Sequence, residues 1–134
     1  MQEFTNGVKA LAFMFGGLIG LITDQLTGGF YVLVFVVACD YITGAYCAIR
    51  EKKFNYKVGL DGIAKKIFIF IIVSIGVIID IKILERGAIL QTSFSMFYIA
   101  NELISIVENA EKTGLPVPKK LKKFIDEIRK EDDE

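Results

Sequence analysis

Three long apolar runs leave this chain few ways to fold. Residues 29–49 carry one charge, Asp40, and residues 65–84 carry only Asp80 and Lys82 beyond the opening Lys65-Lys66 pair. Residues 88–109 carry Glu102 and Glu108. Each run is close to the ~20 residues a helix needs to cross ~30 Å of hydrocarbon. A soluble core built from 134 residues is too small to hide three such helices on every side. The runs therefore predict an all-α integral membrane protein.

A first run, residues 8–26, is weaker. Its uncharged part extends from Ala10 to Thr23, a length that suits a short span or a segment lying in the interface. A cleaved signal peptide fits poorly, because Lys9 is a thin basic flank and no small-x-small site follows Ile22. The expected architecture is four transmembrane helices at 8–26, 29–49, 65–84 and 88–109, or three if the first run stays in the interface. Residues 118–130 then form a short amphipathic tail helix. Leu121, Phe124, Ile125 and Ile128 share one face of it, with Lys120, Lys122 and Lys123 around them. Both a solvated helix and a membrane-surface helix fit that pattern. Gly114, Pro116 and Pro118 separate it from the last run, and Glu131 to Glu134 read as a frayed acidic end.

Positive and negative charges balance overall, 16 of each, but they are not evenly spread. Basic residues crowd the link from Arg50 to Lys66 and the tail beyond Lys112, while the other two links are nearly free of them. Basic loops stay on the cytoplasmic side, so the central link and the C-terminus are expected inside the cell. Phe54, Tyr56, Gly59 and Gly62 in that link suit a loop resting at lipid headgroups. A nucleic-acid partner is not expected, since such a loop has little access to a duplex.

The last run carries a second pattern. Gln91, Ser95, Tyr98, Asn101, Glu102, Ser105, Glu108 and Asn109 recur at steps of three or four and so lie along one helix face. Leu90, Phe97, Ile104 and Val107 fall away from it. Polar groups in hydrocarbon cost several kcal/mol unless they find partners or water, so this stripe must face other helices or an aqueous path. Asp40 shares a face with Thr43 and Gly44, small or polar residues that admit a neighbouring helix. Asp80 is expected at the external interface beside Lys82. Glu102 lies within reach of a lysine extending back from Lys65 or Lys66, and a Glu102–Lys66 pair is the preferred contact. Gly16 and Gly20 form a G-x-x-x-G that allows tight packing or self-association. Together these faces suggest a homo-oligomer within the lipid bilayer.

No catalytic constellation is present. The chain has no His, and its two cysteines, Cys39 and Cys47, sit apart within one run as packing residues. No metal site, cofactor fingerprint or nucleophile–base pair is evident. Neither a cofactor nor an enzymatic activity is expected.

Asp40-Tyr-Ile-Thr43-Gly44, Gly59-Leu-Asp-Gly62-Ile-Ala-Lys65-Lys66, and Asn101-Glu102-Leu-Ile-Ser105-Ile-Val-Glu108-Asn109 followed by Gly114-Leu-Pro116-Val-Pro118 occur in this order. Together they resemble the phage lysis holin family, which includes the clostridial toxin-secretion holins. The match covers roughly residues 29–128, with the last motif the most specific. The resemblance implies a small multi-pass protein of the bacterial cytoplasmic membrane that oligomerises into lesions, depolarises the membrane and releases an endolysin or a large toxin. A non-lytic membrane partner, such as a holin antagonist or an accessory subunit of a channel or transporter, would use the same polar faces.

Overall fold

The computed structural model describes residues 1–133, apart from the side chains at 21, 132 and 133. Regular structure there is helical: α1 (Gln2–Thr23), α2 (Gly28–Arg50), α3 (Tyr56–Ile79), α4 (Ile89–Lys112) and α5 (Lys119–Asp133). A five-residue π-helical segment, Asp80–Leu84, continues α3. Among the described residues, α2 and the continuous Tyr56–Leu84 segment are long and apolar enough to cross a membrane. The polar seam of α4 dilutes its apolar character.

The helix boundaries follow local chemistry. Thr27 adopts an extended conformation and α2 starts at the next residue. The Asn55 carboxamide oxygen accepts from the Lys57 amide at 3.1 Å, capping the start of α3. This cap explains a departure from the sequence expectation. The central basic link shrinks to residues 51–55, and residues 56–64 are already helical rather than a headgroup loop. Gly59 and Gly62 of that helix pack against Tyr41 of α2, whose hydroxyl and ring lie 3.5 and 3.9 Å from where their Cβ atoms would be. At the other end, Glu85 and Gly87 both have positive φ and turn the chain into α4. Gly114, at φ 91°, ends α4 in the left-handed region that favours glycine. The acidic end is helical through Asp133 rather than frayed, and Glu134 lies outside the described residues.

Helix α4 is the organising element. It packs extensively on α2 and less so on α3, while α2 and α3 touch only sparingly. Leu33 and Val37 of α2, Ile69 and Val73 of α3, and Ile99 of α4 form the apolar centre, with Phe30, Phe70, Phe94 and Tyr98 around it. Gly76 permits the closest approach. A Cβ there would sit 2.8 Å from the Phe94 ring, so a side chain at 76 would displace that ring from its place between α3 and α4. Tail helix α5 returns to the end of α4 through ion pairs Lys122–Glu111 and Arg129–Glu108, with Ile125 buried. The first of these holds the Lys122 ammonium above the usual lysine range, by the hydrogen bond and charge of Glu111. Both pairs are exposed and screened by salt, so they hold α5 weakly.

The outside of the molecule is apolar. Phe35, Phe68, Ile71, Ile75 and Phe97 all stand exposed, as does each side chain of α1 up to Gly20. The accessible surface is 10197 Å², against roughly 7000 Å² for a compact soluble chain of this mass. Soluble monomers rarely expose apolar patches beyond a few hundred Å². Helix α1 accounts for much of the excess, since it meets the rest of the chain only in a few contacts with α3. Among the described residues, nothing lies within 4 Å of where a Cβ at Gly16 or Gly20 would stand.

Candidate functional site: a polar seam inside an apolar bundle

The stripe read from the sequence divides in two. Gln91, Ser95, Glu102 and Asn109 are buried and Tyr98 and Ser105 are half-buried, all facing inward. Their steps of four, three, four, three and four are the spacing of a left-handed helix-packing seam. Asn101 is exposed, and Glu108 is half-buried and bonded to Arg129 of α5. At 3.6 residues per turn these two lie about a quarter-turn off the seam's centre, which spacing of three or four alone does not reveal.

The seam has one half toward the C-terminal end of α4, built around an ammonium, and another toward the start of α4, built around Gln91. In the charged half, Lys66 of α3 donates to Asp40 Oδ2 of α2 at 2.5 Å and also to Glu102 Oε2 of α4. Two carboxylates from different helices thus share one ammonium. The expected Glu102–Lys66 contact is present, and Asp40, which the sequence left without a named partner, completes it. Lys65, one residue away, points outward and is exposed. Asn109 extends the network. Its Nδ2 donates to Asp40 Oδ1 at 3.3 Å and to Thr43 Oγ1 at 3.0 Å, and its carbonyl accepts from Cys47 Sγ. Gly44 leaves room for Asn109, whose Nδ2 lies 3.6 Å from where a Cβ at 44 would stand.

In the half toward the start of α4 the hub is Gln91, 1% exposed. Its Oε1 accepts from the Thr27 amide at 2.9 Å, and its Nε2 donates to the Gln25 carbonyl at 3.0 Å. The link between α1 and α2 is thereby tied to the start of α4. Asp80, expected at the external interface beside Lys82, is held inside the fold. It is 4% exposed, and its two carboxylate oxygens accept from the Leu90 and Gln91 amides, each at 2.9 Å. The reason is electrostatic: the first amides of a helix have no partner within it and carry partial positive charge, and the π segment presents a carboxylate to them. Sequence reasoning missed this role and the partners of Gln91. The available signal was an acidic residue in an apolar run, placed one short link before a helix that lacks its own cap.

One turn along the seam from Gln91, Ser95 Oγ is fully buried and has no hydrogen-bond partner among the described residues. Interhelical hydrogen bonds within membranes average about 0.6 kcal/mol, reaching ~1.7 kcal/mol, so no single neutral bond here decides stability. The shared ammonium is different, because removing one member of a buried ion network leaves charge uncompensated. Among the described residues no three His, Cys, Asp or Glu side chains gather as metal ligands. What the site can do is hold charge and polar groups between helices, away from lipid.

An apolar exterior around a charged seam is the make-up of a helical membrane protein. The chain belongs to the bacteriophage holin family, whose model matches residues 10–130. An uncharacterized protein of Halalkalibacterium halodurans is 47% identical over 98 residues, covering 70% of this chain and 73% of that protein. The holin-like protein TcdE of Clostridioides difficile is 26% identical over 90% of this chain and 84% of its own length. A probable holin of Bacillus phage phi105 is 33% identical over 59% of this chain and 58% of its own. No solved structure matches the chain.

Proposed function

We propose that this protein is a lytic holin. Copies accumulate in the bacterial cytoplasmic membrane with all four of α1 to α4 in the bilayer, then assemble into lesions that depolarise it. The basic loop and C-terminal tail lie in the cytoplasm, because Lys and Arg gather there. The lesions release an endolysin or a large toxin. No catalytic step is involved. The observation that carries this reading is the seam of α4, six polar or amphipathic side chains turned inward in a bundle whose outside is apolar.

The seam supplies a physical route to delayed action. While copies are separate, Glu102 and Asn109 are satisfied by α3 and α2 of the same chain and Gln91 by the link before α2. When copies crowd, neighbouring helices take over the apolar contacts and the seam turns to line water. Gly16 and Gly20 on the unpartnered α1, together with the exposed Asn101, give surfaces for contacts between copies. Inducible expression with a potential-sensitive dye tests the reading. A lag followed by abrupt depolarisation is expected. Growth without depolarisation at high membrane abundance would instead mark a non-lytic partner, such as a holin antagonist or channel subunit.

A further inference from the structure

Because α2 and α3 touch so little, a cleft opens between them at the cytoplasmic end. Its mouth is a cavity of about 280 Å³ with Lys53, Phe54 and Lys65 at the rim and Ala45, Ala48 and Val58 on the walls. A second cavity of about 330 Å³ runs alongside, lined by Val34, Ala38, Ile63, Ile67 and Phe70. Tyr41 and Lys66 belong to both, so the two form one path from a basic mouth into an apolar groove. Asp40 also lines the mouth, but Lys66 holds one of its oxygens and Asn109 the other. Lys65 has no ion-pair or hydrogen-bond partner among the described residues, and the Lys53 partner, Glu51, stands 4.0 Å off.

We propose that this cleft binds one anionic phospholipid of the cytoplasmic leaflet. The phosphate is held at the mouth by Lys53 and Lys65, and an acyl chain follows the groove along Ala38 and Ile67. Cationic side chains at the cytoplasmic interface attract anionic headgroups, and a groove with almost no polar wall has no other use for its depth than an apolar chain. The mouth and the groove are matched to the two ends of such a lipid and to neither end of a soluble ligand. A bound lipid would fill the gap between α2 and α3 and hold the charged half of the seam closed. That last consequence rests on the holin reading, but the binding itself does not.

The test uses the full-length protein, delipidated in a neutral detergent, with retention of lipid measured by native mass spectrometry. Phosphatidylglycerol should be retained at one molecule per chain and more tightly than phosphatidylcholine. Each of Lys53→Gln and Lys65→Gln should weaken it roughly fivefold, the effect of one basic charge near an anionic surface. The double variant should lose the preference between the two lipids. Ala38→Phe, at an exposed position that fills the groove, should lower retention of both. Equal retention of the two lipids by the unaltered protein would overturn the proposal, as would a preference that survives loss of both lysines. Competition by inorganic phosphate at equal concentration would make the mouth a simple anion site, and cross-linking of Ala38→Cys to α1 of a second copy would make the groove a protein interface. Either result would likewise overturn it. None of these outcomes depends on lysis, so failure here leaves the holin reading standing.

Discussion

Replacing Lys66 with Met should destabilise the protein more than any other single substitution in the seam, by about 3–5 kcal/mol. Met preserves the length and apolar stem of lysine, so the loss isolates the charge. With the ammonium gone, Asp40 and Glu102 are left as two carboxylates on facing helices, 8% and 3% exposed. Without the ammonium between them the two carboxylates repel, and the tie that joins α3 to both α2 and α4 is lost. The converse changes should be mild. Glu102→Gln and Asp40→Asn each leave one carboxylate on one ammonium and a side-chain amide that still hydrogen-bonds. Protease resistance of the three variants in membranes, at equal expression, measures the difference. Lys66→Met should be cleaved rapidly, and the two amide variants should behave much like the unaltered chain. Equal resistance for all three would mean that the shared ammonium contributes nothing to the bundle.

Glu102→Leu should separate stability from function. The Lys66–Asp40 pair remains, and removing a membrane-embedded carboxylate lowers the cost of insertion, so the variant should accumulate normally. If the seam lines water in the lesion, however, each copy then exposes a leucine there. Leaving a leucine in water rather than among apolar neighbours costs about 1.5–3 kcal/mol. Each copy then opens less readily by about one to two powers of ten, and an assembly of many copies compounds the loss. Depolarisation should fail or be long delayed. Phe97→Leu is the control, at a side chain exposed on the outside of the bundle, where one apolar group replaces another and timing should hardly change. Matching kinetics for the two variants at matched abundance would make the seam incidental.

Much of this was legible in the sequence, for reasons that also explain what was not. Apolar runs of span length report helices because hydrocarbon allows few alternatives, and α2 and α4 match the expected runs closely. The inward face of α4 was readable because buried polar residues in such a run must repeat at helical spacing. The depth of Glu102 placed Lys66 within its reach. What escaped was information held between segments. The Asp40 carboxylate is on α2, its ammonium on α3 and its amide partner on α4, and no spacing within one helix encodes that meeting. The partners of Asp80 escaped because they are backbone amides, which have no letter in the sequence. The early start of α3 was hidden by Gly59 and Gly62, which look like loop residues until Tyr41 is seen lying over them.

The central claim is that the seam is closed within each chain during the lag and faces water afterwards. Ser95, 0% exposed within the seam, tests it most directly. A Ser95→Cys chain would be compared with a Glu51→Cys chain, whose reporter lies in the basic loop, both without Cys39 and Cys47 and both still able to depolarise. Cells would be treated from outside with a membrane-impermeant thiol reagent before and after depolarisation. Both positions should be shielded during the lag, and both should react once the potential collapses, with Glu51→Cys showing that the reagent has reached the cytoplasm. Labelling of Glu51→Cys during the lag would place the basic loop on the wrong side of the membrane. If Ser95→Cys stayed shielded after Glu51→Cys had reacted, the seam would remain closed in the lesion, and water would have to pass along some other surface.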